Sequence, residues 1–251
     1  MRIKFNKEIE FFLKKNFLPQ SYLLRKRLER SIKSNDEKEL KLVKNFIKPG
    51  TDTIDVGVYR GVYSFEMSKY SNLVHAFEPN PVIFEDINKN LKKIIKNLSL
   101  YNLALSNKNE TIDLKIPIRD NNYNKKNYEE YFQMGKATIH YKNKLDEFEV
   151  FKVQTKKLDE LDFDKEISFI KIDVEGHETE VIKGSENTIK INKPILLVEI
   201  EEQYTQKKVL TTINYINSLG YNCFFYQDNE LKNIDNLSDL NLFYNYIFKP
   251  I

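Results

Sequence analysis

The chain has 251 residues, a net charge of +3 and a single cysteine, Cys223. This length fits one sizeable domain with additions, and a single cysteine excludes a disulfide framework and a cysteine-rich zinc site. No run of about 18 apolar residues is present to span a membrane, and the N-terminus lacks the apolar core of a secretory signal. The sequence therefore predicts a cytoplasmic protein without a transmembrane segment.

The N-terminal segment differs in charge from the rest of the chain. Residues 1–48 carry 14 Lys/Arg against 6 Asp/Glu, whereas the remainder carries 26 against 31. We interpret this basic segment as a solvated helical face, although such charge also attracts anionic partners. The sequence thus divides into an N-terminal helical extension (1–48) and a main domain (49–251).

The main domain begins with alternating strand and helix patterns. Apolar runs predict strands at 53–56, 73–77 and 98–105. A helix follows the first strand, and another begins at Pro81 with Asn80 as its cap. This alternation is typical of a sheet whose parallel strands are joined by helices.

The alternation stops after the third strand. Residues 107–157 contain two stretches of period-two alternation around a polar middle, which predicts an antiparallel β insertion carrying a lid. Further strands are predicted at 168–173, 195–200, 222–226 and 242–248, the last two as a hairpin. The predicted fold is α/β: a seven-stranded Rossmann-like sheet with an antiparallel β insertion and N-terminal helices.

The turn between the first two strands has the form that holds an adenosine-containing cofactor. Asp55 and Gly57 end the first strand, Gly61 follows, and Glu78 closes the second strand. Glycine lets the backbone approach a ligand, and the acid accepts hydrogen bonds from ribose hydroxyls. Tyr59 stands where a dinucleotide fingerprint has a glycine, which disfavours a pyrophosphate and favours S-adenosylmethionine (AdoMet).

Ionisable residues cluster after the fourth main strand. Asp173 lies at the strand tip, and Glu175, His177 and Glu178 follow on the loop and first helical turn. Because parallel strands end at one edge of a sheet, Asp173 is expected near the cofactor. Lys171, on the same face of the strand, is interpreted as a buried lysine whose charge is satisfied.

Five segments, in this order, resemble the FkbM family of AdoMet-dependent methyltransferases: IDVGVYRGVYS, VHAFEPNP, NLALS, FIKIDVEGHETEVIKG and PILLVEIEE. The resemblance covers about residues 50–202. It implies the class I methyltransferase fold and methylation of hydroxyl groups on sugars and other small metabolites.

The resemblance also implies cofactor contacts by position. The methionine end would be lined by Asp55, Gly57 and Gly61, and the ribose would be bound by Glu78. The adenine would lie beside Ala104, Leu105 and Ser106, and Asp173 would face the methyl transfer site. Tyr59 is included among the cofactor contacts, although the usual motif has Asn at this position.

A sugar hydroxyl needs a base to take its proton or a metal to acidify it, and the sequence leaves both open. In the mechanism that we favour, His177 is the base and is oriented by Glu175 or Glu178. In the other, Asp173 and Glu199 at neighbouring strand ends share a divalent cation, as catechol-type O-methyltransferases place their ligands. His140, in the insertion, would be a further ligand.

The predicted function is AdoMet-dependent O-methylation of a sugar or nucleotide-activated sugar in surface-polysaccharide biosynthesis. Aromatic residues of the insertion suit stacking on such a substrate: Tyr123, Tyr128, Tyr131 and Phe132. One alternative is an NAD(P)-dependent oxidoreductase, against which the missing central glycine argues. Another is a nucleic-acid methyltransferase, against which the acidic core and the absent N/D-P-P-Y/F motif argue. No nucleic-acid partner is expected, while a non-catalytic role and homo-oligomer formation stay open.

Overall fold

The computed structural model describes residues 18–34, 37–117, 148–200, 206–234 and 243–251. Its helices alternate with strands through most of the chain. They are α1 (Gln20–Ser34), α2 (Val43–Phe46), α3 (Val62–Met67), α4 (Pro81–Ile94), α5 (Glu178–Lys183), α6 (Glu186–Asn192) and α7 (Gln206–Ser218). Short 3₁₀ turns span Lys38–Leu42 and Leu158–Glu160.

The strands form two sheets. They are β1 (Asp52–Val56), β2 (Val74–Phe77), β3 (Leu98–Tyr101), β4 (Ala104–Leu105), β5 (Thr111–Pro117), β6 (Phe148–Lys156), β7 (Ile167–Ile172), β8 (Ile195–Glu199), β9 (Tyr221–Gln227), β10 (Glu230–Asn233) and β11 (Asn245–Pro250). The main sheet has the order β10-β9-β11-β8-β7-β1-β2-β3, and a smaller sheet has the order β4-β6-β5.

The five strands β3, β2, β1, β7 and β8 run parallel, while β9, β10 and β11 pair antiparallel at one side. Every residue of β1 and β7 is buried, as expected for central strands covered on both faces. The predicted α/β fold with a mostly parallel sheet is confirmed. Because parallel strands share a direction, their carboxyl ends form one edge where a ligand can bind.

The strand count differs from the predicted seven, since the described residues give the main sheet eight strands. The additional strand is β10, which forms the tight hairpin with β9 through Asp228 and Asn229, both with positive φ (55° and 63°). The predicted hairpin of the last two strands is therefore corrected: β9 and β11 do pair antiparallel, but β10 intervenes in the chain. Short, polar β10 carries little of the apolar signal on which strand prediction depends.

The predicted strand at 98–105 is divided in two. β3 belongs to the main sheet, whereas β4 pairs in parallel with β6 of the smaller sheet. The antiparallel pairing of β5 with β6 agrees with the predicted β insertion. The rest of that insertion, residues 118–147, lies outside the described residues and includes His140 and the four aromatic residues named above.

The N-terminal extension packs on the main domain. Leu24 and Leu28 of α1 are buried in the same core as Ile87 and Leu91 of α4. α4 begins as predicted, because the Asn80 side chain accepts hydrogen bonds from the Val82 and Ile83 amides at 3.0 and 3.4 Å. The shared core packs α1 of the extension against α4. The division at residue 48 stays a prediction.

Candidate active site

A cavity open to solvent lies at the carboxyl edge of the main sheet. It is lined by eight of the predicted site residues: Gly57, Tyr59, Glu78, Ala104, Leu105, Asp173, Glu175 and His177. Residues distant in sequence thus meet where the topology predicts a cofactor.

The turn after β1 is held against the loop after β7. Gly57 has φ 85°, in the left-handed region, and its amide donates to the Phe77 carbonyl at 3.0 Å. The Asp173 amide in turn donates to the Val56 carbonyl at 3.0 Å. A Cβ added at Gly57 would lie 1.8 Å from the Asp173 carbonyl oxygen, which leaves no space for any side chain. Glycine is therefore required by both conformation and contact.

Two predicted cofactor residues lie behind the cavity wall. Gly61, with φ 78°, is the N-cap residue before α3, and a Cβ there would meet the Leu91 side chain at 2.5 Å. Asp55 is buried and accepts a hydrogen bond from the Ser64 hydroxyl at 2.5 Å through Oδ2. Burial raises the pKa of Asp55 to about 6, against the lowering effect of the Lys171 charge. Its Oδ1 is buried with no hydrogen-bond partner among the described residues.

Glu78 anchors the loop that follows β1. Its two oxygens accept from the Tyr59 amide at 2.8 Å and the Asn80 amide at 2.9 Å. Burial raises the pKa of Glu78 to about 7, while these two hydrogen bonds act in the opposite direction. Tyr59 has φ 49°, a conformation that Asn tolerates better, and its ring lies 5.0 Å from the Arg60 guanidinium. The chain keeps the loop geometry despite the bulky residue.

The raised pKa of Glu78 predicts a pH-dependent stability. The folded protein holds this proton up to about pH 7 and the unfolded chain only to about pH 4.5, so stability is highest below 4.5 and falls as pH rises through 7. Between pH 4.5 and 8, we expect Glu78 to lower the unfolding free energy of the wild type by roughly 3 kcal/mol. In Glu78→Gln this decrease should be absent. Urea titrations across this range measure it, with the exposed Glu85→Gln on α4 as control. Parallel pH profiles for wild type and Glu78→Gln would contradict the assignment.

His177 lies at the β4 end of the cavity. Its Nε2 is 2.9 Å from the Ser106 hydroxyl, and its Nδ1 is 3.8 Å from Glu180. Sequence reasoning named Glu175 or Glu178 as the orienting group and missed Glu180, which lies three residues along the helix from His177. Glu178 instead is buried and accepts from the Gly176 amide at 2.7 Å, closing its own turn.

A second glycine contact brings α5 close to Ser106. A Cβ at Gly184 would lie 2.0 Å from the Ser106 carbonyl oxygen. Ser106 is buried, and Ala104 and Leu105 before it line the cavity. Of the three residues that the resemblance places at the adenine, Ala104 and Leu105 thus line the cavity with His177, and Ser106 contacts His177.

Lys171 and Asp173 form an ion pair, with 2.6 Å between Nζ and Oδ2. The Lys171 side chain is 5% exposed and that of Asp173 is 31% exposed. Burial alone lowers the pKa of Lys171, but the charges of Asp173, Asp55 and Glu199 outweigh burial and raise it above the ordinary value. The interpretation of Lys171 as a buried lysine with a satisfied charge is confirmed.

Glu199, the last residue of β8, is the neighbour of Asp173. Ile172 pairs with Val198 in the parallel register, so the next residue of each strand projects from the same edge. Burial, and then the Asp173 charge, raise the pKa of Glu199 to about 8. The two carboxyl groups that were predicted to share a metal are therefore adjacent.

Their surroundings do not fit a divalent cation. The ammonium group of Lys171 already occupies one side of Asp173 Oδ2, where it would repel a metal. Within the described ranges, no group of three or more His, Cys, Asp or Glu side chains is arranged to hold a metal ion. The buried positive charge beside Asp173 is supplied by the chain itself.

The parallel sheet, the glycine turn and the acids at three strand ends define a class I AdoMet-dependent methyltransferase fold. Residues 55–223 match the family described as Methyltransferase FkbM domain. The chain belongs to this family. No curated protein sequence gives a match.

Solved structures resemble the chain at low identity. The methyltransferase FkbM from Methylobacillus flagellatus KT is 13% identical with a TM-score of 0.51, and the match covers 84% of this chain and 50% of that one. SMU.1697c from Streptococcus mutans, in complex with SAH, is 9% identical over 86% and 97% of the two chains with a TM-score of 0.49. An rRNA methylase from Streptococcus thermophilus is 10% identical over 85% and 95% with a TM-score of 0.45. The chain spans about half the length of the Methylobacillus protein. No helix in the described part of the chain is long and apolar enough to cross a membrane.

Proposed function

We propose that the chain binds AdoMet in this cavity and transfers its methyl group to a hydroxyl of a small acceptor, a sugar or nucleotide-activated sugar in polysaccharide biosynthesis. The observation that carries the proposal is the convergence of the Gly57 turn, Glu78 and Asp173 on one cavity. Membership of a methyltransferase family supports it. The acidic balance beyond residue 48 argues against a nucleic-acid acceptor.

The residues around the cavity fit AdoMet. Glu78 can accept hydrogen bonds from ribose hydroxyls, which would offset the burial that raises its pKa. The unpartnered Oδ1 of Asp55, behind the wall, is an acceptor of the kind that an ammonium group satisfies. Apolar side chains of Leu103, Leu105 and Leu114 offer a surface for an adenine ring. AdoMet supplies an electrophilic methyl group on sulfur.

The acceptor hydroxyl must lose its proton during methyl transfer. We propose that Asp173 takes it, because this carboxylate is partly exposed in the cavity and lies on the β8 side of the glycine turn. Lys171 fixes the orientation of Asp173 through a hydrogen bond to its Oδ2. His177, the base favoured by the sequence, is the alternative, but its Nε2 is already engaged by the Ser106 hydroxyl at 2.9 Å.

Two variants separate these roles. We expect Asp173→Asn to lower kcat by about 100-fold with AdoMet affinity little changed. We expect His177→Ala to weaken AdoMet binding and to change kcat less, with Ser106→Ala as the matched variant of its partner. S-adenosylhomocysteine formation with a panel of nucleotide sugars measures kcat, and calorimetry measures affinity. If His177→Ala loses more kcat than Asp173→Asn, His177 is the base instead of Asp173. If the wild type gives no heat with AdoMet, the proposed function is wrong.

A further inference from the structure

The turn between β1 and α3 carries an exposed cation beside the cavity. Val58 and Gly61 close this turn, because the Gly61 amide donates to the Val58 carbonyl at 2.8 Å. Tyr59 and Arg60 are its two central residues. The Tyr59 amide donates to Glu78 at 2.8 Å, which ties the turn to the end of β2. The backbone of Arg60 is therefore held in place on both sides.

The Tyr59 ring holds the side chain of Arg60. Arg60 is exposed, and its guanidinium lies 5.0 Å from the centre of the Tyr59 ring. A guanidinium stacks on an aromatic face, which restricts its position. Tyr59 lines the cavity, so the charge of Arg60 lies next to it. Within the described ranges no carboxyl group pairs with Arg60, which leaves this charge for a ligand.

Tyr59 adopts a backbone conformation that does not suit a tyrosine. Its φ of 49° lies in the left-handed region, where glycine and asparagine are tolerated better. Strained residues of this kind concentrate at functional sites. The usual motif has Asn at this position, so the turn itself does not require an aromatic ring. The ring contacts the Arg60 guanidinium, and we take the pair as the reason for keeping it.

The cavity itself is acidic. Its charged lining side chains are Glu78, Asp173 and Glu175, with His177 as a further titratable group. No lysine or arginine is among the described residues that line it. Lys171 lies behind Asp173, and its ammonium group is already paired with that carboxylate at 2.6 Å. An anionic group on a ligand is repelled by these carboxylates, so it needs a cation at the margin of the cavity.

We infer that Arg60 binds the carboxylate of AdoMet and of its product S-adenosylhomocysteine, an inference that rests on the proposed function. A guanidinium can donate two parallel hydrogen bonds to a carboxylate. Arg60 lies in sequence between Gly57 and Gly61, which the resemblance places at the methionine end. The ammonium group of the ligand is assigned to Asp55, so the two charges of the amino-acid group would each have a partner of opposite sign.

The test titrates the full chain calorimetrically with S-adenosylhomocysteine and with its decarboxylated analogue, which keeps the amine. We expect Arg60→Gln to weaken S-adenosylhomocysteine about tenfold and the analogue less than about twofold. No acceptor is present, so the phosphate of a nucleotide-activated sugar cannot contribute to the difference. Unchanged affinity for S-adenosylhomocysteine, or an equal loss for both ligands, would overturn the inference. Absence of heat from the wild type with S-adenosylhomocysteine would instead count against the proposed function.

Further variants separate the contact from a general charge effect. Arg25→Gln is the matched control, because Arg25 is an exposed arginine on α1 that pairs with Glu29 at 3.1 Å. It should leave the affinity for S-adenosylhomocysteine unchanged, and a loss equal to that of Arg60→Gln would contradict a specific contact. Tyr59→Phe keeps the ring and should bind S-adenosylhomocysteine as the wild type does. Tyr59→Leu removes the ring and should weaken S-adenosylhomocysteine about threefold but the analogue less. Equal losses in the two Tyr59 variants would show that the ring does not position Arg60.

Discussion

Gly57→Ala is expected to weaken AdoMet binding by about 1,000-fold and to destabilise the fold by at least about 3 kcal/mol. Alanine at φ 85° is strained, and its Cβ would lie 1.8 Å from the Asp173 carbonyl oxygen. The turn after β1 and the loop after β7 would have to separate. Both of these segments line the cavity, so binding and stability are lost together.

Gly50→Ala is the matched control for this prediction. Gly50 has nearly the same φ of 81°, but a Cβ there meets nothing within 4 Å. It therefore carries the conformational cost of about 1–2 kcal/mol without the steric contact. Urea unfolding compares the stability of the two variants, and calorimetry compares their AdoMet affinity. If Gly57→Ala loses no more than Gly50→Ala in both measurements, the close contact between the two loops is not what requires glycine.

Local patterns were enough to predict which residues stand at the carboxyl ends of β1 and β2. Asp55, Gly57 and Glu78 lie close in sequence to the strand ends that position them, and the parallel alternation determines their shared edge. The same reasoning located Asp173 at the end of β7. In these positions, backbone conformation and strand direction decide the geometry, and both leave a clear signal in the sequence.

Tertiary contacts decided what the sequence could not show. Glu39 reaches Asn245, a separation of 206 residues, only because β11 pairs antiparallel with β8. The contact of His177 with Ser106 similarly depends on the break between β3 and β4, which moves Ser106 next to the smaller sheet. Single polar residues of this kind form no periodic pattern in the sequence. Their contact partners can therefore be identified only when strand order and register are known.

The pairing of Asp173 shows how such a contact changes a chemical interpretation. From the sequence, Asp173 and Glu199 are two carboxylates at neighbouring strand ends, which is a reasonable pair of metal ligands. In the structure, Lys171 supplies the positive charge that such a pair needs, at 2.6 Å from Asp173. The alternation of side chains along β7 placed Lys171 on the Asp173 face, but the ion pair itself depends on burial by α3 and its Tyr63 ring.

Lys171→Met is therefore expected to destabilise the protein by about 3–5 kcal/mol near pH 8. Methionine fills a similar volume but leaves Asp173, Asp55 and Glu199 without the ammonium group that offsets their repulsion. The folded-state pKa of Lys171 is raised, so Lys171 itself stays protonated at all pH values below the ordinary 10.5. The loss should be smaller near pH 5, where protonation of Asp55 and Glu199, with pKa values raised to about 6 and about 8, removes part of the repulsion.

Lys48→Met is the matched control, because Lys48 pairs with Glu166 at a similar 2.7 Å but is 62% exposed. Exposed pairs contribute at most about 1 kcal/mol, so urea unfolding should separate the two variants clearly. Equal losses would show that burial does not strengthen the Lys171 pair. In the double variant Lys171→Met/Asp173→Asn, we expect part of the stability to return, since the second substitution removes a carboxylate that the first left unpaired. That recovery distinguishes a charge effect from a packing effect, which the neutral Asn could not repair.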